Sequence, residues 1–156
     1  MSKHQNADAT VSEVEQMFRS YIAAFGTGDL DAKVNSFVSP YYDLRSTDGT
    51  PAQRIIDASN SHRYFTESRE ALIRMGWNKN TRIDQMKVWP LGKDLALLLA
   101  EFTRLDASGE PITAHSAGLD VKVRATHRVL YTLLRTGGTW KFTGYTALDD
   151  GYSGPE

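Results

Sequence analysis

The sequence predicts an α+β fold in which three N-terminal helical segments pack on one face of a curved antiparallel sheet. Two observations predict it. Apolar residues recur at steps of three and four through the N-terminal half, and from Thr81 onward the period changes to two. Helical patterns that precede a run of long strands, rather than alternating with them, argue for helices gathered on one face of the sheet.

Residues 1–9 are polar and read as a disordered tail. Thr10-Val-Ser-Glu13 has the form of a capping box, in which the hydroxyl and the carboxylate each accept from the other residue's backbone N–H. Behind it, Val11, Val14, Phe18, Tyr21 and Phe25 make one apolar stripe, and Gly26 is the expected stop. Asp29 caps a second helix, with Leu30, Val34 and Phe37 on its buried side and Pro40 closing it. Tyr41 to Ser46 reads as a short strand ended by Asp48-Gly49. Thr50-Pro-Ala-Gln53 places a cap, a first-turn proline and a glutamine in the order of a helix start. The helical pattern then runs to about Met75, broken near Ser59-Asn-Ser61, with Phe65, Leu72 and Met75 on its apolar face.

Arg82 to Trp89 alternates and is turned by Pro90-Leu-Gly92. Leu95 to Leu105 follows, and its apolar run suggests burial on both faces. Asp106-Ala-Ser-Gly109 is a turn. His127 to Arg135 is the third long strand, and Thr136-Gly-Gly-Thr139 turns it into Trp140 to Leu148. Between 109 and 126 the pattern fits either an early strand start, from the alternation at Val121 and Val123, or a flap. Residues 10–150 form a single domain on this reading, and 151–156 a loose C-terminal tail.

With 156 residues, 40% hydrophobic and 24% charged, the chain suits one folded domain, and a net charge of −1 offers nothing to nucleic acid. The absence of cysteine excludes thiol nucleophiles, disulfides and thiolate metal sites. His4, His62, His115 and His127 have no ligand spacing, so no metal is expected. The longest apolar run, Leu95 to Ala100, is too short to span a bilayer, and a cytoplasmic location follows as the default. No dinucleotide or phosphate loop occurs, so no cofactor is expected either.

The run Tyr21-Ile-Ala-Ala-Phe25-Gly-Thr-Gly28-Asp29-Leu30-Asp31 resembles a segment of the ketosteroid isomerases. The hairpin Gly138-Thr-Trp140-Lys-Phe142 looks like the last turn of the larger nuclear transport factor 2-like superfamily, which also includes SnoaL-like polyketide cyclases. The resemblance covers about Thr10 to Leu148. It implies a cone-shaped sheet whose open end holds a small-molecule pocket, and a homodimer joined through the outer sheet face. Isomerase chemistry needs a carboxylate base and two hydroxyl-type donors. Tyr21 matches the first donor. The base position falls on Arg45, with Asp43 two residues earlier on the same strand face, and the second donor falls near Leu130 or Tyr131. The isomerase activity is therefore not carried over.

Each candidate has a functional and a structural reading. Tyr21 is a pocket donor or a core tyrosine. Asp43 and Arg45 are a polar pocket floor or a rim ion pair, and a paired carboxylate makes a poor base. His127 is a proton shuttle or a structural histidine. Glu101, in phase with Leu97 and Leu99, is a buried general base or an interface ion-pair residue. The expected catalytic set is Asp43, Tyr21 and His127. The expected pocket lining is Phe18, Tyr21, Phe25, Tyr41, Asp43, Arg45, Glu101 and Tyr131. Two functions are compatible with this: a small-molecule pocket protein for an apolar or carbonyl- or carboxylate-bearing ligand, whose enzymatic form would be a cofactor-independent isomerase, cyclase or dehydratase, or a non-catalytic dimerisation or partner-binding module.

Overall fold

Period-two alternation after Thr81 gives strands long enough to bend around the helices, and the computed structural model shows how. It describes residues 3–47, 50–112 and 125–148. The elements run α1 (Lys3–Thr27), α2 (Leu30–Asn35), β1 (Phe37–Thr47), β2 (Thr50–Ile56), α3 (Ser61–Arg74), β3 (Thr81–Pro90), β4 (Leu95–Arg104), β5 (Thr126–Thr136) and β6 (Thr139–Ala147). The strand order is β2-β1-β6-β5-β4-β3 in one open six-stranded sheet. The expected α+β architecture with three helices is present. The sheet is mixed rather than antiparallel, because β1 lies parallel to β6 while the other four pairings are antiparallel.

The apolar stripe of α1 lies on the sheet: Val14, Phe18, Tyr21, Ile22 and Phe25 are buried. The first four meet the inward phase of β4 (Ala96, Leu98, Ala100, Phe102) and of β5 (Val129, Tyr131, Leu133) in one core, while Phe25 joins Trp77 and Ile112 in a second cluster. The C-terminus of α1 is held by α3, whose Arg69 guanidinium donates to the Phe25 carbonyl at 2.9 Å and the Gly26 carbonyl at 3.0 Å. A cation on the last carbonyls also complements the helix dipole.

Four local expectations are corrected. Helix α1 starts at Lys3, so residues 3–9 are helical and Thr10 is interior, its hydroxyl donating back to the Asn6 carbonyl at 3.0 Å. The stop is Gly28, at φ 83°, rather than Gly26. Helix α2 ends at Asn35, so Phe37 and Pro40 belong to β1. Thr50-Pro-Ala-Gln53 begins strand β2 instead of a helix. Pairing of Arg45 with Ala52 and Asp43 with Arg54 outweighs the local start signal, and Pro51 is tolerated because β2 is an edge. Most of the 109–126 segment (residues 113–124) and the C-terminal tail lie outside the described residues.

The parallel β1–β6 contact depends on a missing side chain. A Cβ on Gly144 would fall inside the ring of Tyr42, whose hydroxyl hydrogen-bonds Thr132 on β5 at 2.9 Å. Gly144→Ala should therefore cost about 1–3 kcal/mol, the usual range for overpacking. The loss should shrink when Tyr42→Ala is added, as urea unfolding of the single and double variants would show; additive losses would count against the contact.

Candidate functional site

Strand alternation points Asp43 inward, where it is only 1% exposed. Arg45, two residues on, folds back over it: Nε donates to Oδ1 at 3.0 Å and Nη2 to Oδ2 at 2.6 Å. Two further elements supply hydroxyls. Tyr64 from α3 donates to Oδ2 at 3.1 Å, Tyr145 from β6 does so at 3.0 Å, and the two phenol oxygens are 2.8 Å apart. These three oxygens form a triangle with two hydroxyl protons for three edges, so one edge lacks its own proton. Burial raises the Tyr145 and Tyr64 hydroxyls above their ordinary value, with Asp43 adding to the effect. Both stay protonated and act as donors.

The chemical consequence concerns Asp43 as a base. A carboxylate has about four acceptor positions. Four donors point at this one, three at Oδ2 and one at Oδ1, and its pairing with Arg45 makes it a poor base. Arg45 clamps Asp43 while remaining partly exposed, so Asp43 is not freed to abstract a proton.

Deeper in the core, Tyr21 packs against Phe18, Phe37, Tyr131 and Phe142. Desolvation raises Tyr21 well above its ordinary range, with the neighbouring Tyr131 adding to it. Tyr131 is likewise raised by burial, against the opposing pull of Arg104 and a hydrogen bond with Tyr21. Tyr21 thus sits beside Tyr131, ring centroids 6.3 Å apart, and no described hydrogen bond joins it to Asp43 or Arg45. Tyr41 is 3% exposed, and its hydroxyl has no hydrogen-bond partner among the described residues. The Tyr41 ring lies 6.4 Å from that of Tyr145, beside the Asp43 cluster, and burial, then Tyr64 and Asp43, push its hydroxyl's pKa up and keep it a protonated donor.

Two cations share this interior. Lys33, on α2, is 2% exposed, with Nζ 3.3 Å from the Phe25 ring centroid, 4.2 Å from Tyr21 and 4.8 Å from Phe65. Arg104, at the end of β4, places its guanidinium 5.0 Å from Phe25 and from Phe102 and 5.1 Å from Trp77. Its Nη1 donates to Thr81 Oγ1 at 2.7 Å, while its buried Nε has no acceptor among the described residues. Desolvation, reinforced by Arg104, lowers the Lys33 amine well below 10.5. Desolvation also lowers Arg104, to about 10.

The remaining expected residues divide. Phe18 and Phe25 are packed core residues, and neither lines either of two clefts on the described surface. One cleft, about 490 Å³, lies between α1 and the β5–β6 turn beside Met17 and Trp140. The other, about 230 Å³, lies between β2 and α3 and reaches Tyr64. Glu101 lies on the outer sheet face, paired with Arg128 at 2.7 Å, and so does not join the pocket. His127 faces inward, as its phase with Tyr131 predicts, but stacks on Phe102 at 5.4 Å. It sits four residues from Tyr131, about 13 Å along the strand, which separates it from the Asp43 layer. Among the described residues, no group of His, Asp or Glu comes together to hold a metal. No described helix is long and apolar enough to cross a membrane.

Sequence reading missed Tyr64, Tyr145, Lys33 and Arg104. Arg104 was legible, since it continues the inward phase of Leu98, Ala100 and Phe102. Lys33, three residues after Leu30, was legible as a helix-face position. Tyr145 was not. Leu133 pairs with Phe142 but Tyr131 with Tyr145, so one extra residue in β6 turns Tyr145 inward.

Lys33 gives a prediction with a definite sign. Its folded pKa lies below its unfolded value, so unfolding takes up a proton between the two. Stability should rise with pH across that window, up to 10.5. Lys33→Met should flatten this slope and raise the melting temperature at pH 7 by roughly 2–4 °C per kcal/mol recovered. Denaturant unfolding from pH 7 to 10 checks it; a variant keeping the wild-type slope would contradict it.

Comparison with known proteins agrees with this architecture. The family described as NTF2-like protein (DUF6841) matches residues 12–150. Aln2 from a Streptomyces species has a similar structure, with a TM-score of 0.65 at 16% identity over 91% of each chain. An NTF2-like protein of unknown function from Pseudomonas putida superposes with a TM-score of 0.63 at 14% identity, over 90% of this chain and 87% of that one. A ketosteroid isomerase-like protein from Erwinia carotovora atroseptica gives 0.59 at 15% identity, over 87% and 92%. No curated protein matches the sequence. At these identities the structures share the fold, and the family match carries the assignment: the chain belongs to the NTF2-like family DUF6841.

Proposed function

We propose that the chain binds a small, flat, largely apolar molecule bearing a carbonyl or carboxylate, held between the inner sheet face and α1, α2 and α3. The observation that carries this reading is the Tyr41 hydroxyl, buried without a partner beside the Asp43 cluster. A buried hydroxyl with no partner costs about 1–3 kcal/mol. A ligand carbonyl would remove that cost. Ligand sites of this kind are mostly apolar, with a few placed polar groups. The fold supports the reading, because NTF2-like proteins often enclose such pockets.

The polar groups favour binding over catalysis. Asp43 is paired with Arg45 and accepts from two tyrosine hydroxyls, which argues against an isomerase-like proton transfer through it. A homodimer through the outer sheet face remains the second reading. Trp89, Leu97, Leu130 and Leu134 alternate onto that face and are only partly buried, which supports a second copy covering it. Light scattering at micromolar concentration tests it, and a monomer would count against it.

Ligand-observed NMR with neutral aromatic carbonyl fragments such as benzamide and acetophenone tests the pocket. Binding should weaken about fivefold in Tyr41→Phe, the loss of one neutral hydrogen bond. Tyr42→Phe, on the outer face, should leave it unchanged. No binding by any such fragment, or equal effects of the two substitutions, would end the proposal.

A further inference from the structure

We propose that Lys33 and Arg104 form the anion-binding end of the site proposed above and take the carboxylate of a small aromatic acid. The inference rests on the pocket reading above and names the chemical class of its ligand. Three observations on separate elements converge. The Lys33 ammonium, on α2, has rings for neighbours: Phe25, Tyr21 and Phe65 all lie within 4.8 Å of Nζ. Arg104, on β4, contacts the same Phe25 ring and leaves its buried Nε without an acceptor. The ion pairs among the described residues engage other cations, so neither is ion-paired with a described carboxylate.

Two like charges buried together repel, and ring faces compensate them only in part. An anion between them would compensate both. It would give Arg104 Nε its missing acceptor and Lys33 a charged partner. The inner carboxylate, Asp43, cannot serve, since Arg45, Tyr64 and Tyr145 already occupy it. Among the described residues no inner carboxylate is left to supply the counter-charge, and a bound ligand would supply it. The walls choose its body. Phe25, Tyr21, Phe65, Phe102 and Trp77 surround the two cations with ring surface, which suits a flat aromatic group over an aliphatic or sugar one. Tyr41 would then meet the ligand's second polar group at the Asp43 end.

Calorimetric titration of the full chain with benzoate, benzamide and acetate tests the proposal. Benzoate should bind at least tenfold tighter than benzamide, its neutral counterpart, and than acetate, which lacks the ring. Lys33→Met and Arg104→Gln should each reduce benzoate affinity at least tenfold while leaving benzamide within twofold. Should Arg104→Gln fail to fold, Lys33→Met alone reads the result, with benzoate raising the melting temperature of the wild type but not of the variant. Benzamide binding as tightly as benzoate would overturn the anion site and leave the pocket reading standing. Loss of binding by all three probes would overturn both.

Discussion

The inner face of the sheet buries charge, and the rest of the molecule accommodates that. Asp43, Lys33 and Arg104 are all at least 94% removed from solvent within one aromatic core. Removing an ion from water costs on the order of several kcal/mol even after the protein relaxes. The carboxylate is answered locally, by a guanidinium fork and two phenols. The cations are answered by ring faces, each worth about 0.5–2 kcal/mol. That imbalance is the least protein-like feature of the core. A chain selected for stability alone would place leucine or methionine at position 33.

The fold brings these groups together from distant parts of the sequence. Asp43 meets Tyr64 and Tyr145 only because β1 lies parallel to β6 and α3 returns over the β1–β2 hairpin. The parallel pairing needs Gly144, where any side chain would displace Tyr42. The bulge next to it turns Tyr145 inward. One short stretch of β6 thus sets both the sheet's only parallel contact among the described residues and the geometry of its buried carboxylate. Arg69 does comparable work for the cations. By holding the end of α1, it fixes Phe25, the ring that Lys33 and Arg104 share.

The strands after Thr81 were legible in the sequence because they are long and alternate cleanly: Arg82 to Trp89 and His127 to Arg135 each fall one residue short of the observed ends. The stripe of α1 and the Asp29 cap were legible for the same reason, a local rule with no competitor. The β2 strand was not, since Thr50-Pro-Ala-Gln53 satisfies a helix-start rule that only pairing with β1 overrides. In the site, the Asp43–Arg45 pair followed from alternation alone. Its two tyrosines did not, because contacts across 21 and 102 residues leave no local signal. Lys33 and Arg104 carried a signal in their phase, but a basic residue on an apolar phase is read as a snorkelling surface chain unless burial is known. Glu101 shows the reverse: its phase was read correctly, yet which face that phase turns toward the helices depends on the packing of α1.

The central claim is that the buried cations are half of a site whose other half is a ligand. A high-resolution crystal structure of the full chain grown with benzoate tests it most directly. The account predicts a carboxylate between α2 and β4, with oxygens within hydrogen-bond distance of both Lys33 Nζ and Arg104 Nε and the ring among Phe25, Phe65 and Phe102. A chamber closed by side chains, with the Lys33 ammonium turned out to solvent, would contradict it.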